Sequence, residues 1–157
     1  MNRRWLWNSW VLLISALLLS GCQSKLERIS RQANKLINDN NFTDLLPLYT
    51  DDVILITDPF CPVDDPCIGK IPLVVTYRME VEGNMIADIV DLKVDKNVVT
   101  SRMEVTGDLN KVADVDRFIM NVTQTFNDDK ISKVVEEYDL SDPQTVVFAE
   151  WMKTKHP

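Results

Sequence analysis

Apolar residues along this chain recur first with helical spacing and later with strand spacing. From Lys25 to Asn40, Leu26, Ile29, Ala33, Leu36 and Ile37 fall three or four apart, with Lys25, Arg28, Arg31, Gln32 and Lys35 on the other faces. That period predicts an amphipathic helix. Asn38-Asp39-Asn40-Asn41 ends it, and such residues also suit the cap of a following element. Phe42 to Tyr49 carries Leu45, Leu46 and Leu48 around Pro47. It predicts a short or kinked second helix, because proline beyond the first turn loses a backbone hydrogen bond and clashes. Val53 to Thr57 is a compact strand candidate, stopped by Asp58-Pro59.

Leu73 to Glu82 reads two ways. Leu73, Val75, Tyr77, Met79 and Val81 alternate with Val74, Thr76, Arg78, Glu80 and Glu82, the period of a strand. Yet Pro72 suits a first helical position and Gly83 a helix end. Ile86 to Val94, Val98 to Thr106, Val115 to Phe126 and Ile131 to Tyr138 are four strand candidates rich in Val, Ile, Thr and Phe. Asp95-Lys96-Asn97, Gly107-Asp108 with Asn110, and Asn127-Asp128-Asp129 separate them. These are turn residues, and links this short imply antiparallel neighbours. Pro143 to Trp151 closes the chain as a helical turn or loop. Helices followed by an antiparallel sheet predict an α+β domain. A curled sheet with helices over one face encloses either a packed core or a pocket.

Residues 1–21 read as an address. Arg3 and Arg4 precede the apolar run Val11 to Leu19, which is much shorter than the ~20 residues of a spanning helix. Ser20-Gly21 then precedes Cys22, as at a cleavage site. Leu19-Ser20-Gly21-Cys22 resembles the bacterial lipobox at all four positions. The resemblance implies cleavage before Cys22, lipidation of its thiol and acylation (palmitate) of its new amine. A single mature domain, 22–157, would then be held by acyl chains at about 0.8 kcal/mol per buried methylene. Gln23 stands where aspartate signals inner-membrane retention, which points to the outer membrane facing the periplasm in a Gram-negative cell. The alternative is an uncleaved N-terminal anchor extended by Trp5 and Leu6. Removing Arg3 and Arg4 from 17 basic residues leaves 15 against 24 acids, so the formal charge goes from −7 to −9. Such a surface repels phosphate backbones and argues against nucleic-acid binding.

With Cys22 assigned to lipid, Cys61 and Cys67 remain. An even remainder in an exported chain suggests a disulfide, worth roughly 2 kcal/mol for so small a ring. Paired free thiols are an alternative. A metal site is the rival reading, but the only histidine is His156 in the tail, and zinc sites need more ligands. No metal and no cofactor is expected.

Several motifs then follow in order: Phe42-Thr43-Asp44-Leu45-Leu46, Leu48-Tyr49-Thr50-Asp51-Asp52-Val53, Thr57-Asp58-Pro59-Phe60 and Ile68-Gly69-Lys70. Asn127-Asp128-Asp129-Lys130-Ile131 and Glu137-Tyr138-Asp139 follow more loosely. In this order and spacing the chain resembles the SnoaL-like branch of the nuclear transport factor 2-like (NTF2-like) superfamily, over nearly the whole mature domain. The resemblance implies a cone-shaped α+β barrel with N-terminal helices on a strongly curved antiparallel sheet. It makes Leu73 to Glu82 a third helix, and it implies a homodimer through the sheet face.

Tyr49-Thr50-Asp51-Asp52 leading to Asp58-Pro59-Phe60 is similar to ketosteroid isomerase, with one extra residue between. That similarity puts Asp58 at the position of the proton-shuttling base, which works where an apolar wall raises its pKa. The two oxyanion donors do not carry over. Ala33 stands at the tyrosine position and Ile119 near that of the protonated aspartate, with Asn121 as an amide substitute. Losing one such donor costs on the order of 3 kcal/mol, so steroid isomerisation is not expected. The dehydratase version uses histidines, which this core lacks. An Asp–Arg–Asp relay would draw on Arg78, Arg102 or Arg117.

Tyr49, Phe60, Tyr77, Met103, Asn121 and Tyr138 are the candidate pocket residues. Each has a plainer reading: tyrosines at core edges, methionines such as Met79, Met103 and Met120 as core filler, and Asp58 as a turn residue before proline. Asp51-Asp52 and Glu136-Glu137 read as solvated faces or turns. The expectation is an envelope-anchored lipoprotein that binds a small apolar ligand or a protein partner without catalysis. The alternatives are a cofactor-free isomerase, cyclase or hydrolase with Asp58 as base, and a structural lipoprotein with a filled core.

Overall fold

The structure is a computed structural model that describes residues 24–155. Cys22, the leader and His156 lie outside the described residues. Helix α1 (Lys25–Asn38) starts where Ser24 accepts a hydrogen bond from the Glu27 N–H at 3.1 Å. Ser30 and Ala33 are buried on its inner face, with Leu26, Ile29, Leu36 and Ile37 packed beside them. At its far end Asn34 and Asn38 donate to the Ala87 carbonyl at 2.8 and 3.0 Å, and Asn38 accepts from the Ala87 N–H. These bonds fix α1 across the sheet.

The segment around Pro47 divides. Helix α2 (Phe42–Leu45) is capped by Asn41, and a 3-10 turn spans Leu46–Leu48. Strand β1 (Tyr49–Thr57) therefore begins four residues earlier than the apolar run suggests. A short strand β2 (Cys67–Ile68) pairs with it antiparallel. Next comes α3 (Lys70–Glu82), closed by Gly83, whose N–H reaches the Met79 and Val81 carbonyls. The helical reading of this stretch prevails over the alternation. Alternating apolar residues then fall on both sides, so Leu73, Thr76 and Tyr77 are buried while Ile71 and Val75 face outward.

Strands β3 (Ile86–Asp95) and β4 (Val98–Thr106) form a hairpin, and a short helix α4 (Asp108–Val112) occupies the stretch read as a turn. Strands β5 (Phe118–Asn127) and β6 (Lys130–Tyr138) form a second hairpin. The C-terminal segment is a full helix, α5 (Pro143–Lys155). The sheet order is β2-β1-β6-β5-β4-β3. It is mixed rather than antiparallel, because β1 runs parallel to β6. The short-link rule covers β3 to β6. It says nothing about β1, which meets its neighbour only after the whole chain has crossed back. Irregularities at Ile89/Asp91 and Thr125/Phe126 bend the hairpins, as bulges do. The sheet curves without closing.

The interior is unevenly filled. Leu45, Tyr49, Val53, Leu55, Val99, Ile131 and Val134 are almost fully buried toward the β5–β6 turn. At the opposite end Phe148 of α5 stacks on Phe118 at 4.1 Å, and Tyr138 meets both rings edge-on. Space remains between these two layers.

Candidate functional site

The concave sheet face, α1, α3 and α5 enclose a cavity of about 110 Å³. Its walls are apolar, with Met85, Met103, Val105, Phe118, Met120, Val122 and Phe148 among them. All five methionines of the described residues line it. Its other end is polar. Thr57 and Asp58 close β1, Tyr77 and Glu80 come from α3, and Glu136 and Tyr138 from β6.

Local periodicity puts them there. On a helix, residues 73, 76, 77 and 80 share one face, so the turn that buries Leu73 and Tyr77 also carries Glu80 inward. On β6, Val134, Glu136 and Tyr138 alternate onto the concave side, while Glu137 is exposed. The parallel register sets Thr57 opposite Glu136.

Tyr77 donates its hydroxyl to Glu136 Oε1 at 3.2 Å. Glu136 Oε2 is buried and has no hydrogen-bond partner. Glu80 and Glu136 border open cavity space and so are only half-buried as whole residues, while the Glu136 Oε2 atom is fully enclosed. Burial pushes the Glu136 carboxyl up to about 7, opposed by Thr57 and Tyr77. The Thr57 contact falls short of hydrogen-bond geometry. Burial also holds Glu80 well above the carboxylate range, and the charge of Glu136 adds to it. Two carboxyls in a low-dielectric site do not both ionise near neutrality, and their protons belong to the pair. Burial raises the phenols of Tyr77 and Tyr138 as well, reinforced by Glu136. The Tyr49 phenol is raised first by burial; its hydroxyl is enclosed without a well-formed hydrogen bond.

The cavity brings together Tyr77, Met103 and Tyr138 of the expected set, with Phe60 and the exposed Asp58 at its mouth. Tyr49 is different: it is 0 % exposed and belongs to the core beneath the cavity. Asn121 is also misplaced by the sequence reading. It is exposed on the far face of β5, because its neighbours Met120 and Val122 point inward. Glu136 corrects a further expectation, since it is not a solvated residue. Helical spacing from Leu73 and Tyr77 was the signal that could have found Glu80, and strand alternation with Tyr138 the signal for Glu136.

Cys61 and Cys67 are joined, with Cα atoms 5.2 Å apart. Reciprocal backbone bonds between Thr57 and Cys61 turn the chain at Asp58. Ala33 and Ile119 are core, and the Ile119 N–H is engaged by Thr145 at 2.8 Å. Arg78 lies over the Phe42 ring and Arg102 pairs with Asp139. Arg117 does sit between Glu104 and Asp142, at 3.4 and 3.1 Å, but all three residues are outside the cavity.

The sequence matches no protein-family model and no curated protein. Solved structures resemble it. A candidate polyketide cyclase of Sinorhizobium meliloti aligns at 12% identity and TM-score 0.61, covering 73% of this chain and 100% of that one. A candidate ketosteroid isomerase of Kribbella flavida aligns at 16% and 0.60, covering 73% and 77%. The epoxide hydrolase/cyclase-like enzyme SalBIII, associated with pyran ring formation in salinomycin, aligns at 14% and 0.59, covering 75% and 93%. At these identities the likeness shows the fold alone, which is NTF2-like.

The raised carboxyl has a consequence for stability. The unfolded chain releases the Glu136 proton near the ordinary value of 4.5, and the folded chain near 7. Between those pH values the native state binds more protons, so folding stability falls as pH rises. The shift corresponds to on the order of 3 kcal/mol. Glu136→Gln is expected to flatten the slope and raise stability at pH 7.5 in urea unfolding; an unchanged slope contradicts the assignment.

Proposed function

We propose that this domain takes up a small, mainly apolar molecule in the cavity, on an envelope lipoprotein anchored through Cys22. The observation that carries the binding reading is Glu136 Oε2, a buried acceptor without a protein partner at the polar end of an apolar space. Buried polar groups are ordinarily satisfied, and this one belongs to a residue that lines the cavity. An apolar cavity on the order of 150 Å³ is large enough for benzene. Methionine walls adapt to the shape of what enters.

The lipobox supports the anchor, and the geometry of α1 is consistent with it. Lys25 pairs with Asp129 in the β5–β6 turn, while Asn34 and Asn38 reach the cavity. A helix of 14 residues is about 21 Å long. A lipid at Cys22 would thus leave the mouth turned away from the bilayer. Among the described residues no helix is long and apolar enough to cross a membrane.

A second reading is favoured by the raised carboxyl pair itself. A base poised near pH 7 suits proton transfer at neutral pH, and fold neighbours described as cyclases, isomerases and hydrolases support it. Glu136 is then the base, with Glu80 holding the shared proton. Asp58, exposed at the mouth, remains the alternative base that the isomerase similarity assigns.

Methionine-methyl NMR tests uptake. Added toluene is expected to shift the Met103 and Met120 methyl signals saturably, and unmoved signals would mean a filled, structural interior. For the second reading, α-proton exchange of cyclohexanone in D₂O should slow about 100-fold in Glu136→Gln; equal rates in both proteins remove Glu136 as base. Cys22→Ala should move the protein from the membrane pellet to the soluble fraction, and its retention in the pellet sinks the lipid anchor.

A further inference from the structure

The polar end of the cavity is anionic and holds no cation. Asp58, Glu80 and Glu136 line it, and its lining contains no lysine, arginine or histidine. Nearby cations are engaged elsewhere: Lys70 with Asp51 at 2.7 Å, Arg78 over Phe42, Arg102 with Asp139. Among the described residues, no three His, Cys, Asp or Glu side chains are arranged to hold a metal ion. A buried negative charge without a counter-ion is costly, and the cavity that Glu80 and Glu136 line offers room for one.

We infer that the ligand is a small apolar amine, bound as its ammonium ion, with its N–H groups on the Glu136 and Glu80 carboxyls and its hydrocarbon against Phe118, Met103 and Met120. This rests on the ligand-binding reading above and names its chemistry. Two enclosed carboxyls that share one proton carry one negative charge. A monocation neutralises it, a neutral molecule leaves it, and an anion doubles it. Tyr77 and Tyr138 line the polar end, and aromatic rings attract cations. Asp58 at the mouth and the chain's charge of −7 concentrate cations at the opening.

The ammonium ion competes with the pair's second proton. The titratable groups around Glu136 are Tyr77 and Glu80 from α3, Tyr49 from β1, Asp58 in the turn just after it, and Tyr138 on β6 itself. None is a cation. Protonating both glutamates at low pH removes the charge that holds the amine, so affinity falls with falling pH.

Calorimetry on the full chain in detergent, with benzylamine, benzyl alcohol, benzoate and toluene as probes, tests this. Benzylamine at pH 8 should bind at least tenfold tighter than benzyl alcohol and weaken at least tenfold at pH 5.5, with benzoate weakest. Glu136→Gln should bring benzylamine down to the level of benzyl alcohol, whereas Glu80→Gln, which leaves the Glu136 charge in place, should keep benzylamine the tighter of the two. The wild-type ranking decides even where a variant fails to fold. Benzyl alcohol binding as tightly as benzylamine overturns the ammonium site while leaving the cavity a ligand site. No binding of any of the four overturns both.

Discussion

Parallel pairing of β1 with β6 is the constraint on which the polar end of this molecule depends. It places Thr57 against Glu136 and delivers the chain to the cavity mouth at Asp58. The Cys61–Cys67 ring then turns it back, so that α3 can lie over the concave face with Tyr77 and Glu80 inward. Without that pairing the two glutamates, which are far apart in sequence, would not share an enclosure. The remaining strands form simple hairpins that curve the sheet and supply the apolar wall.

The energetic balance is uneven along the cone. Toward the β5–β6 turn the interior is packed with aliphatic side chains and contributes most of the hydrophobic stabilisation. Toward the mouth, methionines border a void, and an acidic pair is enclosed with one oxygen unpartnered. Filling that space with apolar groups would stabilise the domain. Strongly shifted, desolvated acids in a cleft are instead a mark of functional sites. The proposed ligand chemistry and the fall in stability above pH 4.5 have this one cause.

Much of the fold was legible in the sequence because its periods are clean. The face Leu26, Ile29, Ala33, Leu36 and Ile37 is α1, and the four valine-rich runs are β3 to β6. Pro47 split the second helix as its missing N–H requires. The parallel β1–β6 contact was hidden, since no local pattern records a partner met eighty residues later. The site was half legible. Tyr77, Met103 and Tyr138 stood out as amphipathic or adaptable side chains. Glu80 and Glu136 did not, because a charged residue is normally solvated, and only committing to helix over 70–82 turns Glu80 inward. Asn121 faces away from the cavity because strand alternation turns Met120 and Val122 inward. The lipobox reading of Cys22 concerns a segment outside the described residues and stands on the sequence.

The central claim is that Glu80 and Glu136 share a proton near neutral pH. Carbon-13 NMR of the side-chain carboxyls in glutamate-labelled protein measures it directly. The account predicts one glutamate signal titrating near pH 7 and assigned to Glu136, a second moving only at higher pH and assigned to Glu80, and a lower value for Glu80 once Glu136 is replaced by glutamine. Both signals titrating at the ordinary value near 4.5, in wild type and variant alike, would contradict it.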